Sequence, residues 1–169
     1  MGRSDEYFVP DEAIAEAELA TVPGESRPSA SDWWRRLAPY LMVGAGGAMG
    51  ANLRYLVGLW ATARWPGPFP WGTLLINLTG SLLLGGLLTT LAARRPEPRL
   101  WRLFLGTGLL GAYTTFSTFS AETVALAATG YLPLAIAYVL LSVGGGYGAA
   151  WAGMALVRWW TRAMTASAG

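Results

Sequence analysis

Four apolar stretches run through this chain, each close to the ~20 residues that a helix needs to cross the hydrocarbon core of a bilayer. They are expected at about residues 37–60, 71–92, 103–128 and 132–157. Turn-forming residues separate them: Pro66, Gly67, Pro68 and Pro70, then Pro96 and Pro98, then Gly130 with Pro133. Trp33, Trp34, Trp65, Trp71, Trp101, Trp159 and Trp160 stand near the span ends, where an amphipathic ring prefers the headgroup layer. With 53% hydrophobic and 13% charged residues, the chain lies far from the roughly one-quarter charged content of soluble domains. The expected fold class is all-α, a polytopic membrane protein with four transmembrane helices.

The chemistry open to such a chain is narrow. It has no cysteine, no histidine and, because all 12 of its basic residues are arginine, no lysine. Disulfides, thiol nucleophiles, thiolate or imidazole metal sites, histidine acid–base chemistry and a P-loop lysine are excluded together. A non-enzymatic role is expected.

Charge is divided sharply along the sequence. Residues 1–32 carry eight acids (Asp5, Glu6, Asp11, Glu12, Glu16, Glu18, Glu25 and Asp32) against Arg3 and Arg27. That composition cannot bury a core and reads as a disordered acidic tail. The basic start and apolar run of a signal peptide are missing. Residues 33–162 form the expected membrane domain and 163–169 a short C-terminal tail. Arg35, Arg36, Arg94, Arg95, Arg99, Arg102, Arg158 and Arg162 share one side of this topology, and Arg64 alone lies on the other. The positive-inside rule then places both termini in the cytoplasm, with the chain in the plasma membrane.

Small residues four apart suggest where helices meet: Gly46 with Gly50, Gly47 with Ala51, Ser81 with Gly85, and Gly144 with Gly148. Such pairs let backbones approach closely where lipid supplies no hydrophobic drive. One subunit with four short spans has too little interior to enclose a conduction path, so an oligomer is expected.

Residues 106–120 place glycines, hydroxyls and two phenylalanines inside the third apolar stretch. Irregular backbone at bilayer depth survives only where it is buried in protein or lines a cavity. A break in the third helix is expected near Gly111 to Thr114, and the carbonyls freed there suit a hard cation such as Na⁺. Phe116 and Phe119 are three apart and project from one face. They serve either as core packing or, beside Thr114, Thr115, Ser117 and Thr118, as ring edges that join hydroxyl donors around a small anion. Asn77, in the second span, either bonds across helices or donates its amide to an anion. Arg54 either snorkels, pairs with Glu122, or concentrates anions at a vestibule.

Three motifs occur in order: Gly50-Ala51-x-x-Arg54-Tyr55, Gly72-Thr73-Leu74-Leu75-Ile76-Asn77-Leu78-Thr79-Gly80, and Gly108-x-x-Gly111-x-x-Thr114-Thr115-Phe116-Ser117-Thr118-Phe119. In these the chain resembles the Fluc/CrcB family of fluoride channels over about residues 40–160. The resemblance implies an antiparallel, dual-topology dimer with two narrow fluoride pathways and a structural, non-transported Na⁺ on the two-fold axis. It implies that Gly111 and Thr114 supply backbone carbonyls to Na⁺ and that Phe116 and Phe119 are the pore phenylalanines. Asn77 would be the amide donor and Arg54 the vestibule arginine. Tyr138 matches an aromatic of the fourth span, while Ser142, Thr115, Ser117 and Glu122 resemble members of a polar track. The chain departs from some relatives at Gly146, where they carry a second serine.

The implied function is passive export of cytoplasmic fluoride, protecting the cell from its toxicity. The arginine split bears on the partner, because an antiparallel homodimer asks one chain to insert both ways. Eight arginines against one favour a heterodimer with an oppositely biased paralogue over a homodimer. Two other classes compete: a small proton-coupled multidrug exporter, for which Glu122 is the one available carboxylate, and a scaffold subunit of a larger complex.

Overall fold

A computed structural model of the chain describes residues 30–93 and 99–167. The acidic tail through residue 29, the second loop with Arg94, Arg95, Pro96 and Pro98, and the last two residues lie outside the described residues. By backbone contacts the chain divides into two units, Met1–Trp34 and Arg35–Gly169. The helices that build the core belong to the second.

Every regular element among the described residues is helical. Helix α1 spans Ala30–Arg64 and carries Pro39 inside it; α2 spans Trp71–Ala92. Helix α3, residues 99–113, is composite: an α turn at Arg99–Trp101, a π-helix over Arg102–Leu110, and a second α turn at Gly111–Tyr113. Helix α4 spans Phe116–Ala128 and α5 spans Leu132–Ser167. Helices α2 and α5 (to Ala166) are long and apolar enough to cross a membrane, and only 28% and 11% of their most apolar windows are buried. The outward face of α5 carries Leu140, Val143, Tyr147 and Trp151, all more than 60% exposed, and that of α2 carries Leu83 and Leu88. Water would not tolerate so large an apolar surface, whereas lipid does. The protein is a helical membrane protein.

Helix ends follow local chemistry. Pro70 precedes α2, whose Leu74 N–H reaches the Pro70 carbonyl at 3.2 Å. Helix α4 closes with Tyr131 N–H on Leu126 O and Gly130 N–H on Ala127 O, at 2.9 and 3.3 Å. That Schellman pattern needs a left-handed residue, supplied by Gly130 at φ 87°. Helix α5 runs ten residues beyond its expected end at Val157, so the segment from 163 that reads as a tail continues the helix through Ser167.

Glycines set the tightest contacts. A Cβ at Gly85 would collide with the Ala150 carbonyl, and one at Gly153 with the Leu82 carbonyl, so α2 and α5 meet backbone to backbone. Gly46 and Gly50 of α1 pack likewise on the carbonyls of Phe104 and Leu109 in the π-helix. The Gly144 and Gly148 pair behaves differently: a Cβ on either would meet nothing within 4 Å, so it makes no close helix contact among the described residues. The core gathers Leu74, Leu126, Ala135 and Tyr138, with Phe69, Leu78, Phe119 and Leu134 packed against it.

Candidate functional site

The interruption between α3 and α4 falls at Thr114 and Thr115, which are both extended (φ −76°, ψ 159° and φ −149°, ψ 126°). This shifts the expected break, since Gly111 is helical at φ −64°, ψ −36° and its N–H bonds back to Gly106 and Gly108. Two β-branched residues, which favour extended backbone, form the gap instead of glycine. Asn77 of α2 holds it open. Its Nδ2 donates to Thr115 O at 3.0 Å, and Thr115 N–H donates to its Oδ1 at 2.9 Å. Thr115 also caps α4, its Oγ1 accepting from Thr118 N–H at 3.2 Å.

These bonds bear on a metal. Among the described residues no three His, Cys, Asp or Glu side chains cluster, so backbone carbonyls are the donors at hand. In an unbroken helix Thr115 N–H would close on Gly111 O, and Thr118 N–H on Thr114 O. Both amides are committed elsewhere, to Asn77 and to the Thr115 hydroxyl. The two carbonyls the resemblance assigns to Na⁺ have thus lost their usual donors, and a set of neutral oxygens fits a hard cation.

Glu122 sits between two hydroxyls. Thr73 Oγ1 donates to its Oε1 at 3.0 Å and Tyr138 OH to its Oε2 at 2.8 Å. The expected alternative of an Arg54 pair is not taken: no ion pair joins Arg54 to Glu122 among the described residues, and both carboxylate oxygens are occupied. Tyr138 is fully buried. Its ring lies between Phe69, edge-on at 5.7 Å, and Phe119 at 5.2 Å; Phe116 follows at 5.9 Å from Phe119.

Two cavities flank this framework. One of about 260 Å³ is lined by Asn77, Thr114, Thr115, Phe116, Phe119, Ser142 and Val143. The Ser142 hydroxyl is buried and has no hydrogen-bond partner. Phe119 is partly buried in the core, whereas Phe116 is 79% exposed, so the two rings share a face but not an environment. Ser117 Oγ lies 3.3 Å from Thr115 Oγ1 at the entrance to α4. The second cavity, about 690 Å³, includes Arg54, Thr73, Thr115, Thr118 and Glu122 among its lining residues.

The sequence reading missed three residues. Thr73 holds Glu122, and its place four residues before Asn77 on α2 is the signal that could have found it. Phe69 braces Tyr138 from the first loop, where only turn residues were read. Tyr113 bonds Thr79 Oγ1 at 3.0 Å and packs on Gly80, next to the break.

The family model described as "CrcB-like protein, Camphor Resistance (CrcB)" matches residues 41–154. The chain belongs to the CrcB family. That stretch holds every site residue from Arg54 to Ser142. A relative from Rhizobium meliloti (strain 1021), named fluoride-specific ion channel FluC, is 49% identical over 118 residues, covering 70% of this chain and 94% of its own. Proteins of the same name are 45% identical over 123 residues in Anaeromyxobacter dehalogenans (73% and 98% covered) and 50% identical over 119 residues in Nitrobacter winogradskyi (70% and 94% covered). The acidic tail lies outside the matched CrcB region, and these CrcB relatives are named as ion channels, not enzymes.

Proposed function

We propose that this protein is a fluoride-selective channel that lets cytoplasmic fluoride leave passively down its electrochemical gradient. The observation that carries the reading is the Ser142 hydroxyl, buried without a partner on a cavity shared with Asn77, Phe116 and Phe119. A buried orphan hydroxyl costs about 1–3 kcal/mol until a ligand, a water or a partner chain completes it, and an anion in this cavity would do so. Asn77 has one amide N–H beyond the one it gives to Thr115. Hydroxyl, amide and ring edges bind a small anion without a formal cation that would trap it. Arg54, in the larger cavity, draws anions toward that path. The names of the relatives supply the identity of the anion.

The chain crosses the membrane four times in this reading, with both termini in the cytoplasm, and works as an antiparallel dimer. The exposed Phe116 is then covered by the partner. The breaks of the two subunits meet at the axis, where the carbonyls of Gly111 and Thr114 hold a structural Na⁺. The eight-to-one arginine split favours an oppositely biased paralogue as that partner. A negative-inside potential worth about 2.3 kcal/mol per charge per 100 mV drives export without ATP. A proton-coupled exporter fits less well, because the carboxylate it needs, Glu122, already accepts two hydroxyl bonds.

The test is fluoride-electrode efflux from liposomes holding this chain in Na⁺ buffer, with valinomycin, a K⁺ gradient and chloride as control. Fluoride-selective efflux from the chain alone supports the channel and overturns the heterodimer. Silence that persists when the paralogue is added rejects the channel.

A further inference from the structure

The far end of α5 carries a second kind of surface. Gly153 packs on Leu82 and Gly86 of α2, which fixes the face of α5 that meets the bundle. At ~100° per residue, Trp151, Arg158 and Arg162 fall roughly 140–180° from Gly153, on the outward side. A groove of about 260 Å³ runs along that side, lined by Trp151, Met154, Ala155, Arg158, Trp159 and Arg162. Its two ends differ in chemistry. Trp151, Met154 and Ala155 make one end apolar, and Arg158 and Arg162, one helical turn apart, make the other cationic. No acidic residue occurs anywhere in α5 to neutralise either guanidinium. Trp159, 66% exposed, lines the same groove beside them, and indoles favour the headgroup layer.

We propose that this groove binds one anionic phospholipid. Its phosphate sits on the Arg158 and Arg162 guanidiniums, whose planar forks match phosphate oxygens, and the start of an acyl chain lies along Trp151, Met154 and Ala155. Charge complementarity at one end and an apolar path at the other favour this occupant. A soluble phosphate would leave the apolar end uncovered, and a second copy of the chain would have to bring an anion of its own. The site is independent of the anion pathway.

The experiment is native mass spectrometry of the purified full chain in a nonionic detergent, offered equal amounts of phosphatidylglycerol and phosphatidylcholine. Phosphatidylglycerol should be retained in preference. At about 1 kcal/mol per arginine, the preference should fall roughly thirtyfold in the Arg158→Gln/Arg162→Gln variant. Arg158→Lys/Arg162→Lys keeps the charge but not the bidentate fork, so it should recover part of the preference, which separates charge from misfolding. An unchanged preference in the glutamine variant overturns the proposal. So does displacement of the lipid by millimolar inorganic phosphate, which marks a soluble-anion site, or a changed dimer fraction with unchanged lipid preference, which marks a protein contact.

Discussion

Asn77 and Thr115 pair as two peptide groups would across a β-ladder, each giving the other one N–H at 2.9–3.0 Å. A side-chain amide is suited to this because it presents a donor and an acceptor side by side. The pair supplies the extended Thr115 with both bonds that a helix would otherwise have provided. It makes a two-residue gap tolerable at the buried Thr115, where unpaired backbone is costly.

Asn77→Ala should therefore destabilise the protein by about 1–3 kcal/mol for each Thr115 group left unpaired. Asn77→Asp keeps the acceptor for Thr115 N–H but sets a carboxylate oxygen against Thr115 O, so it should not rescue. Unfolding in detergent by denaturant titration measures both. Wild-type stability in Asn77→Ala would show that the gap holds itself open.

Ser142 gives a prediction with opposite signs for stability and function. Removing a buried hydroxyl that has no partner should leave the fold unchanged or stabilise it by about 1–2 kcal/mol. If the hydroxyl serves a passing anion, Ser142→Ala should also slow fluoride efflux. Thermal unfolding and liposome flux on the same preparation check the two halves, and a variant that lost stability would mean that the hydroxyl has a structural partner.

Thr73, Glu122 and Tyr138 form one hydrogen-bonded unit, so substitutions within it should not add. Breaking one bond of the unit leaves a buried partner unpaired, at a cost of about 1–3 kcal/mol. The Glu122→Leu/Tyr138→Phe double variant should accordingly be less destabilised than the sum of the singles by about 1–2 kcal/mol. A double-mutant cycle on unfolding free energies reads the coupling directly, and strict additivity would show that the 2.8 Å contact between Tyr138 and Glu122 carries no net energy.

The helical class and the residues that crowd around the break were legible in the sequence because apolar run length, turn residues and ordered motifs are local signals. The range 71–92 matches α2 to the residue, since Pro70 fixes its start. Other features were hidden because they depend on packing. Gly111 reads as a helix breaker, yet the gap forms three residues later, where an amide from another helix is within reach. The Gly144 and Gly148 pair reads as a contact, yet spacing alone does not say which face of α5 meets α2; Gly153 does that. Phe69 was invisible because a loop aromatic gains meaning only when Tyr138 lies 5.7 Å away.

The two phenylalanines should separate when each is replaced. Phe119 packs against the core and lies 5.2 Å from Tyr138, so Phe119→Ile both loosens that ring and removes a ring edge from the cavity. It should abolish fluoride flux while costing the fold only about 1 kcal/mol, as a hydrophobic exchange of similar volume does. Phe116 is 79% exposed within its own chain, so Phe116→Ile should leave the stability of the isolated subunit unchanged. Its cost should appear in assembly and flux, since the proposed dimer covers it. Flux assays, thermal unfolding and the dimer fraction by light scattering distinguish the two variants. Unchanged flux in both would remove the rings from the pathway, while a Phe116→Ile subunit that melts early would place that ring in the monomer's own core.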